Sequence, residues 1–216
     1  KVCHVISGLG DGGAEALLYR LCAAQVDWDH VVISLKGQDK YFSLLRDIGV
    51  EVHTIEMSGR FLDIFKVIDV WKLIRNIKPD AVQTWMYHAD LIGGIAARLA
   101  GVRTVVWGIH STVLKYRETS LTTIFIVYLL AVLSYIVPKR IVLCANQSKE
   151  AHANLLYNKN KMKVIANGYD LSHFCVDFLK RQSWKHEFGV YEDCLSLGMV
   201  GRYDSYKDHN NLIRAL

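Results

Sequence analysis

The chain has little that would hold a fold together covalently or around a metal. Its five cysteines (Cys3, Cys22, Cys144, Cys175, Cys194) are odd in number, widely spread and form no C-x-x-C pair. Neither a disulfide framework nor a zinc site is expected from them, and a reducing compartment, the cytoplasm, fits their usage. No Arg/Lys block interleaved with aromatics accompanies the formal charge of +5. That excludes dedicated nucleic-acid binding and leaves a mild attraction to phosphates or anionic lipid. The opening run Lys1–Ser7 meets glycines at once, which is too short for a secretory signal, and it reads as a buried first strand. No run reaches the about 20 apolar residues that cross a bilayer. The nearest approach, Leu121–Val137, contains Thr122, Thr123 and Ser134 and reads as a buried helix, with a membrane-leaning helix as the alternative.

What is present is the composition of an ordinary globular protein: 216 residues, 51% hydrophobic and 22% charged, enough for one full domain and part of another. Short β-branched runs alternate with longer helical patterns. Strands are predicted at Val2–Ser7, His30–Leu35, Glu51–Ile55, Ala81–Trp85, Thr104–Ile109, Arg140–Ala145 and Lys163–Ala166. Helices are predicted at Gly13–Gln25, Asp39–Ile48, Phe61–Ile77, His88–Ala100, Thr119–Ile136 and Gln147–Leu156. Gly49 and Gly101 stand where a helix takes a left-handed last residue, and Pro79 stops the third helix. The pattern is that of an α/β, doubly wound, Rossmann-like parallel sheet. Residues 1–170 form this domain. After it, 171–193 has no clear period and reads as an interdomain connection. Residues 194–216 then open a second Rossmann-like domain, with a strand at Leu195–Gly201 and a helix from Asp208, so the chain is expected to be a truncated piece of a two-domain protein.

Four constellations can carry chemistry. The loop Gly8-Leu9-Gly10-Asp11-Gly12-Gly13-Ala14-Glu15 spells G-x-G-x-x-G between a strand and a helix, the form of a dinucleotide-binding turn. A nicotinamide enzyme would place an acid at the end of the second strand, where this chain has Ser34, Leu35 and Lys36. That weakens the dehydrogenase reading, although Lys36 could meet a 2′-phosphate. Alternatively, Gly12 and Gly13 expose N–H groups at a helix start, with Glu15 favoured there by the dipole, to hold hydroxyls or phosphate. An ordinary tight turn explains the same residues. The second constellation, Gln83–Asp90, places Tyr87, His88 and Asp90 at a strand's carboxyl end, where open sheets bind ligands, with a mere preference for the helix start as the alternative for Asp90. The pairs Gly93-Gly94 and Ala96-Ala97 that follow suit close helix packing. The third is His110, within Trp107–Ser111 at another strand end, able to hydrogen-bond a sugar hydroxyl or a leaving phosphate. The fourth is Val200–His209, where Arg202 and Lys207 can clamp a diphosphate.

Four pieces occur together in order: G-G-x-E at Gly12, Gly13 and Glu15; W-M-Y-H-A-D-L from Trp85 to Leu91; N-G-x-D at Asn167–Asp170 followed by Phe174; and V-G-R-x-x-x-x-K at Val200–Lys207. In this the chain resembles the retaining glycosyltransferases of family 4, of the GT-B fold. The resemblance implies an acceptor-binding N-terminal domain, a C-terminal domain that holds a nucleotide-diphosphate sugar, and transfer with retention in the cleft between them. It implies His110 facing the reacting sugar, with Arg202, Lys207 and Gly13 at the donor diphosphate. Gly12, Glu15, Tyr87 and His88 would lie at the acceptor. No metal and no resident cofactor are implied, the nucleotide sugar being a co-substrate.

This chain has Ile109-His110-Ser111 where relatives often flank the histidine with Arg or Asn, and the family's E-x7-E region is expected beyond Leu216. The implied role is a hexosyltransferase of cell-envelope polysaccharide synthesis acting on a glycan or lipid-linked acceptor, inactive as the fragment given. It would be cytoplasmic, at the inner face of the membrane. Lys66, Lys72, Arg75 and Lys78 could help the Leu121–Val137 helix dock there. The other readings are a sugar-nucleotide epimerase, an NAD(P)-dependent oxidoreductase and a non-catalytic sugar- or lipid-binding protein.

Overall fold

A computed structural model of the chain describes residues 1–57, 65–111, 119–173, 175–191, 194–201, 203 and 207–216. The chain divides into two compact units, Lys1–Gly168 and Tyr169–Leu216. The first unit carries strands β1 (Val2–Ile6), β2 (His30–Ser34), β3 (Glu51–Thr54), β4 (Ala81–Trp85), β5 (Thr104–Ile109), β6 (Arg140–Leu143) and β7 (Met162–Val164). Between them run helices α1 (Gly13–Ala24), α2 (Lys40–Asp47), α3 (Val67–Ile77), α4 (Tyr87–Leu99), α5 (Leu121–Leu133) and α6 (Asn146–Asn154). The sheet order is β3-β2-β1-β4-β5-β6-β7, and every neighbouring pair is parallel. This is the doubly wound α/β arrangement. The part of the third predicted helix at 61–64 lies outside the described residues.

A strand covered on both faces needs apolar residues at successive positions, and all of β2 is buried. The alternation of side chains then assigns each residue to a layer. Cys3 and Val5 of β1 face the larger core under α3, α4 and α5, while Ile6 faces the smaller one under α1 and α2. Helix α4 lies flush on the sheet because of its glycine pair. A Cβ on Gly93 would sit 2.8 Å from Val5, and one on Gly94 2.7 Å from Trp107 Nε1. Chain reversals follow the residues that permit them. Gly49 and Gly101 are left-handed after α2 and α4, and Lys78 takes that conformation just before Pro79.

Two expectations are corrected, for α5 and for Leu195–Gly201. Helix α5 is buried on one side only: Ile126, Val127, Leu130 and Ala131 face the core, while Leu121, Phe125, Tyr128 and Val132 are exposed. A segment that is apolar all round has no periodicity to say which side meets solvent, and neighbouring elements decide it. The second unit adds α7 (Phe178–Glu187) within the 171–193 stretch, started by Asp177, whose carboxylate accepts from the Lys180 N–H at 3.0 Å. Its sequence has a cap but little apolar period. Leu195–Gly201 forms no strand, and Leu195, Leu197 and Val200 are exposed. A strand exists only by pairing, and the described residues of this unit offer it no partner. The closing helix, α8 (His209–Ala215), is present. Among the described residues no helix is long and apolar enough to cross a membrane.

Candidate active site at the carboxyl edge of the sheet

The chain moves outward through β1, β2 and β3 in one direction and through β4 to β7 in the other, so connections leaving β1 and β4 part in opposite directions. Such a switch point opens a crevice at the carboxyl ends of the strands. Around it lie the glycine loop after β1, Lys36 after β2, Met86–His88 after β4, and His110–Ser111 after β5.

The glycine loop is tied to the start of α2. Tyr41 N–H donates to Leu9 O at 2.9 Å, and Lys40 Nζ pairs with Asp11 at 2.9 Å. At its end, Gly12 caps α1 without a side chain, leaving the first N–H groups of the helix to other partners. The Glu15 carboxylate folds back over this terminus, and a Cβ on Gly12 would collide with it. Gly13, by contrast, is open on its free side. The Lys36 side chain lies along Gly8, 3.3 Å from where a Cβ would stand. Lys36 also helps, after desolvation, to hold the exposed His88 below the ordinary imidazole range. Sequence reasoning weighed Lys36 only as a partner for a 2′-phosphate. The available signal was a cation immediately after the second strand, facing the glycine loop across the switch point.

His110 lies parallel on the Trp85 indole, with ring centroids 5.1 Å apart and planes 9° apart. It is partly exposed, and burial lowers its pKa. Trp85 in turn donates from Nε1 to His4 Nδ1 at 3.3 Å. Gly108 lets this arrangement close, since a Cβ there would sit 2.9 Å from Thr84 O. The turn out of β4 is strained: Met86 has φ 75 and ψ 157, a region that side chains avoid at a cost of about 1–3 kcal/mol. It is held by Met86 N–H donating to Gly108 O at 3.0 Å and by Met86 O accepting from Asp90 N–H at 2.9 Å.

Tyr87 and Asp90 turn inward. His152 Nδ1 donates to Ser148 O at 2.7 Å, so its Nε2 is the acceptor, and Tyr87 OH donates to it at 2.9 Å. Burial pushes the Tyr87 phenol up to about 12, partly offset by a hydrogen bond with Ser111. Ser148 Oγ donates to Ser111 O at 2.7 Å, so Tyr87 and α6 together hold the backbone next to His110. Asp90, expected at the crevice, is fully buried and accepts from Thr84 Oγ1 at 2.5 Å. Burial raises its pKa well above the ordinary carboxylate range. That expectation is corrected: a carboxyl so enclosed serves the β4–α4 junction and not a ligand.

Of the expected diphosphate pair, Arg202 lies outside the described residues, as does Phe174. Lys207 belongs to the second unit, where its side chain lies beside Gly201. Among the described residues the cluster of metal-ligating type is His4, Cys22 and His30. Because His4 Nδ1 accepts from Trp85, His4 Nε2 carries the proton and donates to His30 Nδ1 at 3.0 Å. Burial pushes the Cys22 thiol up to about 11. The two histidines continue the hydrogen-bonded chain from Trp85 within the core, and the lone pairs of His4 Nδ1 and His30 Nδ1 are engaged in it. One D-x-D triplet, Asp27-Trp28-Asp29, precedes β2 at the opposite edge of the sheet, where Asp29 pairs with Lys1 at 3.2 Å.

Comparison with known proteins identifies the family and the fold. The family model for Glycosyltransferase Family 4 matches residues 11–173. The chain is 31% identical over 142 residues, 65% of its length, to an Escherichia coli UDP-Gal:alpha-D-GlcNAc-diphosphoundecaprenol alpha-1,3-galactosyltransferase, of which it covers 36%. It is 25% identical over 195 residues, 84% of its length, to a Campylobacter jejuni N,N'-diacetylbacillosaminyl-diphospho-undecaprenol alpha-1,3-N-acetylgalactosaminyltransferase, of which it covers 52%. Anabaena HepE in complex with UDP-glucose superposes with a TM-score of 0.78 at 20% identity, over 99% of this chain and 56% of that one. The chain thus spans about a third to just over half of each of these proteins. The family match covers most of the chain and runs through Gly12, Glu15, His88 and His110, and the chain belongs to glycosyltransferase family 4.

Proposed function

We infer that this chain contributes the acceptor side of an enzyme that transfers a sugar from a nucleotide-diphosphate sugar to a glycan or lipid-linked acceptor, with retention, in cell-envelope polysaccharide synthesis. The observation that carries this reading is the convergence of Glu15, Lys36, His88 and His110 on one switch point in a family 4 chain. A carboxylate at the start of α1 accepts hydrogen bonds from hydroxyls and repels phosphate. Glu15, with Gly12 making room for it, therefore suits an acceptor sugar, with His88 alongside. The open space where a side chain on Gly13 would stand lets a ligand approach the start of α1, and with the Lys36 ammonium this suits the negative charge of the donor. His110, kept neutral by burial, is positioned to hydrogen-bond the reacting sugar from a fixed orientation on Trp85. Tyr87 acts through Ser111 and His152 as a positioning residue.

In this reading Tyr169–Leu216 opens the nucleotide-sugar domain, with 171–193 as the connection and 194–216 as its start. Arg202 and Lys207 stabilise the departing diphosphate, where charge grows as the bond breaks. Nucleic acid is no partner, no resident cofactor is used, and the enzyme works in the cytoplasm at the inner face of the membrane. The test is calorimetric titration of the full-length protein with uridine, guanosine and adenosine diphosphates and with nicotinamide dinucleotides. Diphosphate binding that weakens at least tenfold in both Arg202→Ala and Lys207→Ala supports the transferase. Dinucleotide binding without a diphosphate response overturns it.

A further inference from the structure

The outer side of α5 is apolar from end to end. Leu121, Phe125, Tyr128 and Val132 recur at helical spacing, and Tyr135 and Ile136 continue the stripe beyond the helix, all between 48% and 84% exposed. A helix side that faces water ordinarily carries charge. From Ser120 to Pro138 this chain has no Asp, Glu, Lys or Arg at all. The inner side of the helix is already committed to the core. The outer side is therefore an apolar surface that contact with water alone does not account for.

Charge identifies what covers that surface. The segment Tyr157–Lys161 folds across the end of α5. Tyr157 OH donates to Val127 O at 3.0 Å, Asn158 N–H donates to Ser134 Oγ at 2.9 Å, and Lys161 Nζ donates to Ser134 O at 3.0 Å and Tyr135 O at 2.6 Å. Lys159 and Lys161 are thereby set beside the last turn, from which the exposed Lys139 leads into β6. Arg98 and Arg140 stand close enough to help burial hold Lys161 below the ordinary lysine range. Between Ser120 and Val164 the basic residues are Lys139, Arg140, Lys149, Lys159, Lys161 and Lys163, against the single acid Glu150. A contact between two copies of this face would bring two positive rims together. Anionic lipid headgroups above an acyl layer complement both the rim and the stripe. With 13 residues, α5 is far short of the length that spans a bilayer. The rings of Phe125, Tyr128 and Tyr135 suit the headgroup level.

We propose that the outer face of α5 is a membrane-docking surface for an anionic leaflet, the helix lying in the headgroup boundary with Lys139 and Lys159 on phosphates and Lys161 tying the basic rim to the end of the helix. The proposal rests on the lipid-linked acceptor reading for its purpose, though not for its evidence. Because α5 follows β5 and leads to a parallel β6, it starts at the carboxyl edge of the sheet, where the crevice lies. Docking brings that edge to the surface on which a lipid-linked acceptor resides. The cations of α3 are less suited: Lys66 Nζ is used by Ile55 O and Glu56 O, and the Arg75 guanidinium lies 5.3 Å over the Trp71 ring.

Flotation of the full-length protein with vesicles of phosphatidylglycerol and phosphatidylcholine, against phosphatidylcholine alone, tests this. Wild type is expected to float preferentially with the anionic vesicles. Phe125→Ser with Val132→Ser should reduce partitioning at least tenfold. Lys139→Glu with Lys159→Glu should reduce it by about fivefold per cation, and Lys72→Glu should leave it unchanged. Flotation equal to wild type in both double variants overturns the proposal. So does a lipid-free protein in which the serine variants change the mass measured by light scattering or lower the melting temperature, since another copy or another part of the chain would then cover the face. UDP and GDP titrations on the same variants separate the two readings. Lost flotation with unchanged diphosphate binding supports docking in a working transferase, and flotation without any diphosphate binding sinks the transferase reading alone.

Discussion

His110 is held by stacking on Trp85, and Trp85 is itself pinned through its N–H to His4, so the orientation of a crevice imidazole is set by a chain of contacts that runs into the core. Removing the imidazole while leaving the indole should act on the chemical step. His110→Ala is expected to lower kcat by about a hundredfold, with the donor's Kd within twofold of wild type, as read by calorimetry alongside turnover. Burial lowers the His110 pKa, so at any given pH the group is more fully neutral than an ordinary imidazole. The acid limb of kcat/KM should therefore lie below the ordinary imidazole pKa near 6.5. A limb at or above that value would show that His110 is not the group being titrated. Gly12 gives a separate test. A methyl there must displace the Glu15 carboxylate, so Gly12→Ala should raise the acceptor KM several-fold with little change in donor affinity, measured in a two-substrate kinetic series.

At the scale of elements, α4 is the scaffold on which both layers of the site depend. It begins at strained Met86, carries Tyr87 and His88 in its first turn, and rests on β1, β4 and β5 through Gly93 and Gly94. The atom that opposes a side chain at Gly93 is Val5 Cβ, in a central strand, which has no flexible end to swing away. Gly93→Ala should accordingly destabilise the protein by about 1–3 kcal/mol, since overpacking against a strand moves the backbone. Urea unfolding with an unchanged m-value checks it. Gly13→Ala, with open space beyond its Cβ and an ordinary φ, should shift stability by far less. The helix patterns, cap glycines and small-residue pairs of α2 and α4 were legible in the sequence because each acts within a few residues of itself.

For the whole molecule, buried neutral histidines couple folding to pH. Burial, reinforced by His30, lowers His4 from 6.5 in the unfolded chain to about 3 in the fold, and burial lowers His152 as well. Between those two values the unfolded chain binds the His4 proton and the folded chain does not. Stability from His4 is then complete well above pH 6.5 and is lost as the pH falls toward 3, by about 1.4 kcal/mol per pH unit. Melting temperatures should fall steadily from pH 7 to pH 5, and a flat profile over that interval would contradict the buried pair. The doubly wound sheet and the places of its seven strands were readable in advance, as were the glycine loop and His110 at a strand end. Hydrophobic period, caps and turn residues are local properties written along the chain. The sequence alone did not tell that Tyr87 and Asp90 face inward, that Lys36 lies against the glycine loop, or that Leu195–Gly201 stays unpaired. Nor did it tell that an apolar helix such as α5 leaves Leu121, Phe125, Tyr128 and Val132 exposed. Those outcomes depend on which distant strand or helix occupies the space beside each residue, and only the packed tertiary structure supplies that neighbour.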